Sequence, residues 1–236
     1  MSDQRTLHFY FDYISPYAYF AWRQIPALCE EYKIDLKIHP VVFGKLLDHW
    51  GQLGPAEIPP KTRWLLNYCM RYAALNGFEY KPPQFHPYNP LPSLRMSLFE
   101  VCGEQQSAIV SAIFEAGWSN GADLGDPSSL LVLLREAGID AEKYLKRTSE
   151  PAIKNLLRQE TESAIVAGVF GVPTMIVDDQ LFWGNDQIEH LRLYLEGKDP
   201  LDPAKIAALG DRKRAIDRIR FVSGPAGSGT DDTKQS

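Results

Sequence analysis

The stretch Thr6-Leu7-His8-Phe9-Tyr10-Phe11-Asp12-Tyr13-Ile14-Ser15-Pro16-Tyr17-Ala18 decides the fold. Its first half is aromatic and β-branched, which predicts a strand from Thr6 to Asp12. Pro16 then suits the first position of a helix, where its fixed φ helps and its missing N–H is not needed. Ser15 stands between the two, as a residue that can cap the helix. Folds that exchange disulfides carry Cys-x-x-Cys at such a handover. This chain reads Ser15-Pro16-Tyr17-Ala18 and so has neither an attacking nor a resolving thiol there. What remains is a hydroxyl at a helix N-terminus, a place suited to an anion or to a ligand's thiolate.

Working outward, apolar spacing predicts a helix from Pro16 to about Tyr32, and alternation predicts a second strand from Ile34 to Phe43. The short joints make this a parallel strand–helix–strand unit. From Gly44 to about Gly168 helical spacing dominates, at Thr62 to Leu75, Leu91 to Ala116, Ser128 to Ala137 and Glu150 to Ala167. Strand signals return at Val172 to Val177, followed by a turn at Asp178-Asp179, a strand from Gln180 to Trp183 and a helix from Gln187 to Glu196. The order is that of an α/β, thioredoxin-like fold with a large all-helical insertion. The expected divisions are a discontinuous thioredoxin-like domain (1–44 and 169–200), a helical insertion (45–168), a C-terminal helix (201–222) and a disordered tail (223–236).

The 236 residues are 44% hydrophobic and 23% charged, with a net charge of −5, so no positive field favours nucleic acid or an acidic membrane. No apolar run approaches the roughly 20 residues that span a bilayer, and Met1 to Arg5 lead directly into the strand, so a cytoplasmic protein is expected. The 3 cysteines, Cys29, Cys69 and Cys102, are scattered in helical surroundings and read as buried structural thiols. The 5 histidines have no metal-ligand spacing, and neither a phosphate loop nor a Gly-x-Ser-x-Gly elbow occurs.

Gly171-Val172-Pro173-Thr174 lies just before the returning hairpin, where this fold keeps a cis-proline facing the helix N-terminus. The residue before such a proline offers its backbone to an extended, peptide-like ligand, which assigns Val172 and Pro173 to binding; glutathione is a ligand of that kind. Gly184-Asn185-Asp186 separates the last strand from the last helix, and Asn185 and Asp186 can hold an amino-acid head there, cap the helix, or both. The Gly/Pro-rich joint from Lys45 to Arg63 reads as a lid, with Trp50, Gln52, Lys61 and Arg63 as candidate contacts for an aromatic carboxylate. Asn89, in His86-Pro87-Tyr88-Asn89-Pro90, can cap the next helix or face the cleft.

Four segments together resemble 2-hydroxychromene-2-carboxylate isomerases, relatives of kappa-class glutathione transferases: Phe9 to Ala18, Gly54 to Lys61, Gly168 to Thr174 and Phe182 to Asp186. The likeness extends to about residue 197. It implies that Ser15 contacts the glutathione sulfur, that Val172 binds its peptide backbone, and that Asn185 with Asp186 holds the γ-glutamyl group. It further implies a homodimer, glutathione as a regenerated cofactor, and a reaction in which the thiolate adds to an unsaturated ring-opened substrate, a bond rotates, and the thiolate leaves. Gln52 stands where many members have asparagine, a departure that bears on the substrate rather than on glutathione. A helix N-terminus contributes about 0.3–1 kcal/mol and a hydrogen bond to a charged acceptor about 1.5–3 kcal/mol. Together these suffice to populate thiolate at neutral pH while Ser15 stays neutral. The alternatives are a kappa-type transferase, which consumes thiol where an isomerase does not, and a non-catalytic peptide-binding thioredoxin module.

Overall fold

β1 (Thr6–Phe11) is the strand on which the fold is built: Leu7, Phe9 and Phe11 are fully buried on one face, while His8 and Tyr10 occupy the other. In the computed structural model, which describes residues 4–210 and 212, β1 pairs in parallel with β2 (Asp35–Pro40) and antiparallel with β3 (Thr174–Val177). β3 pairs antiparallel with β4 (Gln180–Trp183), giving the order β2-β1-β3-β4. Asp178 and Asp179 both take positive φ (48° and 64°), the backbone that a two-residue hairpin turn requires.

The helix expected from Pro16 to Tyr32 is two helices, α1 (Pro16–Trp22) and α2 (Ile25–Tyr32). Pro26 explains the break, because it has no N–H for the Trp22 carbonyl and its ring crowds that carbonyl. β2 also stops earlier than alternation suggests, at Pro40, and Phe43 already begins α3 (Phe43–Trp50). The segment read as an open lid is therefore largely helical. Gly51 (φ 61°) closes α3 with its N–H on Asp48 O, a short turn spans Pro55–Glu57, and Pro59 opens α4 (Pro59–Asn76). Its glycines and prolines punctuate helices instead of opening a loop.

The long helix expected over Leu91 to Ala116 is divided into α5 (Leu91–Met96), α6 (Phe99–Cys102) and α7 (Gln106–Phe114), with a wider turn at Glu115–Ser119. Gly103, at φ 55°, ends α6. α8 (Pro127–Glu136) is capped by the Asp126 carboxylate, α9 (Glu142–Arg147) had no sequence expectation, and α10 (Pro151–Val166) falls where the spacing placed it. α11 (Ile188–Leu195) follows β4.

Phe9, Phe11, Tyr13 and Phe20 share one continuous core with Leu94, Ile109, Phe114 and Trp118, so the helical insertion and the sheet are packed through the same interior. A smaller cluster of Tyr10, Val41, Leu46, Ala164, Val169 and Val172 covers the other face. Residues up to Asp199 form one compact unit, and those from Pro200 form a second, of which α12 (Pro203–Gly210) is the described helix. Apart from Arg212, the expected helical residues beyond Gly210 and the expected disordered tail lie outside the described residues. Cys29, Cys69 and Cys102 are buried and free, and burial pushes each thiol up to about 12, which leaves them inert at neutral pH. No helix among the described residues is long and apolar enough to cross a membrane.

Candidate active site

Ser15 is the N-cap of α1 and is itself buried. Its Oγ accepts from the Ala18 N–H at 3.2 Å and donates to the Val172 carbonyl at 3.3 Å, across 157 residues of sequence. The second bond is long for a hydroxyl donor, so its proton can be redirected to a stronger acceptor at little cost. The Val172–Pro173 bond is cis. Capping and contact with the returning hairpin are thus combined in one side chain.

The turn that carries Ser15 is held from several sides. Tyr13 O accepts from the Tyr88 hydroxyl at 2.9 Å and from Trp118 Nε1 at 2.8 Å, and Ile14 O receives His86 Nε2 at 2.7 Å. All three donors come from the helical insertion. Below the turn, Asp12 is fully buried; it accepts from the Ile14 N–H at 3.2 Å and the Phe43 N–H at 2.9 Å, and its own carbonyl accepts from Ser15 N–H at 3.1 Å. Burial raises the Asp12 carboxyl to about 7, against the smaller opposing pull of its backbone donors.

Asn185 and Asp186 begin a short turn after β4 that packs on α1. Asn185 is buried and donates from Nδ2 to the Tyr68 hydroxyl at 3.0 Å, while the Gly184 N–H donates to Pro173 O at 2.9 Å. Gly184 takes φ 107°, and a side chain there would run into the Asp186 carboxylate. Gly171 is similarly constrained, since a Cβ would lie 2.5 Å from Trp183 Nε1. Asp186 is exposed, and its charge adds to the burial that raises the phenols of Tyr17 and Tyr68; both remain protonated donors.

The structure therefore joins Ser15, Val172, Pro173 and Asn185 with Asp186 through short links. It treats the proposed substrate contacts unequally. Trp50 donates from Nε1 to Val169 O at 3.0 Å, which pins its ring beside the segment leading to Pro173. Gln52 lies just past α3, where its N–H closes the helix on Leu47 O. Asn89 Oδ1 accepts from Leu91 N–H at 3.2 Å, and so serves the turn before α5. Lys61 and Arg63 are both exposed on the first turns of α4 but lie about 200° apart around it. Lys61 shares its side with Leu65 and Tyr68; Arg63 faces the opposite way.

Sequence reasoning missed Tyr17, Tyr68 and Trp64. Tyr17 meets Tyr68 edge-on with ring centres 5.3 Å apart, and Trp64 stacks on Tyr68 at 5.4 Å. The spacing of Trp64, Tyr68 and Tyr72, four residues each, was a visible signal for one aromatic helix face. Asp12 also left a signal, as a lone acid inside an apolar run. His86 and Tyr88 lay in a segment read only for Asn89, and Trp118 left no signal.

A second ionisable cluster lies elsewhere on β1. His8 Nδ1 and His39 Nε2 are 2.9 Å apart, His39 is hydrogen-bonded to Glu160, and both imidazoles stack with Tyr10. His39 and Glu160 line a cavity of about 340 Å³ at the β2 edge, together with Leu36, Ile38, Leu98 and Phe99. None of the sequence-predicted site residues lines it.

Residues 6–196 match the DSBA-like thioredoxin domain family. The chain is 31% identical over 195 residues to a 2-hydroxychromene-2-carboxylate isomerase of Sphingobium xenophagum, covering 81% of this chain and 98% of that protein. It is 27% identical over 223 residues to human glutathione S-transferase kappa 1, covering 87% and 98% respectively. A solved 2-hydroxychromene-2-carboxylate isomerase structure superposes with a TM-score of 0.74 at 24% identity, over 86% of this chain and 98% of that one.

Proposed function

The chain belongs to the DsbA-like thioredoxin-domain family, among the relatives of 2-hydroxychromene-2-carboxylate isomerases, and on that premise we propose that it is a glutathione-dependent isomerase of 2-hydroxychromene-2-carboxylate-like aromatic acids. The observation that carries this reading is the contact between Ser15 Oγ and Val172 O, which brings a thiol-free helix N-terminus against the returning hairpin. The donor set suits glutathione: the Ser15 hydroxyl at the start of α1 for sulfur, the Val172 backbone for a peptide, and the Asn185 amide with the Asp186 carboxylate for an amino-acid head. When bound, glutathione supplies the sulfur nucleophile and is regenerated.

The remaining work falls to side chains of this protein. Ser15 turns its hydroxyl proton from Val172 O toward sulfur and stabilises the thiolate without ionising. The positive end of the α1 dipole reinforces that stabilisation. Trp64 and Tyr68 offer flat apolar surface to an aromatic ring, and Lys61, on their side of α4, supplies the cation for its carboxylate. Because the turn reads Ser15-Pro16-Tyr17-Ala18, it presents no disulfide with which a bound thiol could exchange.

Calorimetric titration with glutathione, followed by assay on 2-hydroxychromene-2-carboxylate with and without it, tests the proposal. Turnover that requires glutathione and leaves total thiol constant is the expected result. Thiol consumed in step with product identifies a kappa-type transferase, and absence of glutathione binding removes the reading.

A further inference from the structure

We propose that Asp12 is a positioning residue for Ser15: its carboxylate ties the β1–α1 turn to the start of α3 and thereby sets where the Ser15 hydroxyl stands against Val172. The inference rests on the glutathione reading for its consequence, but its geometry is independent of it. The two carboxylate oxygens accept in different places, Oδ1 from Ile14 N–H in the turn and Oδ2 from Phe43 N–H, 31 residues away at the first position of α3. The Asp12 carbonyl takes Ser15 N–H as well, so this one residue binds both amides that follow Tyr13.

The ionised carboxyl serves both side-chain tethers best, since both of its oxygens are then strong acceptors. Protonation makes one oxygen a hydroxyl, a much poorer acceptor for the N–H it faces, and so weakens that bond. Because Asp12 is fully buried, no water makes good the weakened bond cheaply. Burial raises its carboxyl to about 7, so the tether is tightened or weakened within the neutral range. The titratable groups around it are Tyr13 on its own turn and Tyr88 from the segment before α5, both held protonated by burial, and His86, which reaches the turn at Ile14 O. From α3 comes the Phe43 N–H.

S-methylglutathione isolates this effect, because it has no thiol to titrate. Its affinity should be measured by calorimetry from about pH 6 to about pH 8 for the native protein, Asp12→Asn and His86→Gln. Native affinity should weaken about fivefold on acidification, the worth of one ordinary hydrogen bond. Asp12→Asn should bind weakly at every pH, and His86→Gln should keep the native pH dependence. In the free native protein, the Ile14 and Phe43 amide resonances should titrate together with one midpoint near 7, and Asp12→Asn should abolish that titration. Independent or absent titration of the two amides overturns the proposal whatever the ligand result, as does a native pH slope retained by Asp12→Asn or lost in His86→Gln. If the amides titrate together but the native protein binds no S-methylglutathione, the tether stands and the glutathione reading falls.

Discussion

Two ionisable clusters lie on β1 and just past its end, four residues apart in sequence, and they differ in what their charges hold. His8 pairs with His39 and His39 with Glu160, all three half-buried and held side chain to side chain. Asp12 is wholly buried and is held by backbone N–H groups of the turn and of α3. A change of charge in the first cluster falls on contacts between side chains. In the second it is transmitted to the backbone that carries Ser15. The same contrast explains a trade-off: burial favours the neutral Asp12, while the charged form organises the turn.

The largest expected effect follows from that trade-off. A carboxyl raised from 3.8 to about 7 contributes stability that is full below its unfolded value and is lost as pH rises to about 7. Asp12→Asn cannot ionise, so relative to the native protein it should gain up to about 4 kcal/mol between about pH 4 and about pH 8. Urea melts at the two pH values measure this, and parallel pH profiles would remove the contrast between the clusters.

Ser15→Ala comes next. Loss of a hydrogen bond to a charged acceptor, about 1.5–3 kcal/mol, predicts a fall in glutathione-dependent turnover of roughly 10- to 100-fold. The ultraviolet absorbance of bound thiolate should shift to higher pH in the same variant. An unchanged thiol titration would separate Ser15 from the sulfur.

A smaller effect distinguishes the two faces of α4. Lys61→Ala should raise KM for an aromatic acid several-fold and leave an uncharged analogue nearly unaffected, at the ~1 kcal/mol scale of an exposed ion pair. Arg63→Ala should do neither, and equal effects from both would place the substrate carboxylate elsewhere.

The smallest concerns His8. Burial first, then His39, lowers its pKa below 6.5, so its contribution to stability is full above 6.5 and is lost as pH falls through the lowered value. His8→Asn should soften the acid-side loss of stability without changing the pH dependence of ligand binding. A shift in binding would show that the histidine cluster does reach the site.

Local order was legible wherever its cause lies within a few residues. Ser15-Pro16 is a cap followed by a helix start, and Asp178-Asp179 is a hairpin turn between two short strands. Pro26 carried an equally local signal, and apolar spacing alone read through it. The divisions between Leu91 and Ser119 were less visible, because Gly103 and the wider turn before Asn120 are consistent with one long apolar helix until packing selects otherwise.

The sequence by itself determined the strand-to-helix handover, the absence of a redox pair, and the residues placed at the two ends of the returning hairpin, since each depends on backbone preferences spanning few residues. Tertiary structure decided what holds and surrounds them. Tyr13 and Ile14 are fixed by His86, Tyr88 and Trp118 across 72, 75 and 105 residues, and Asn185 meets Tyr68 across 117. No periodicity encodes those pairings, because they arise from the way buried donors find acceptors once the common core has closed.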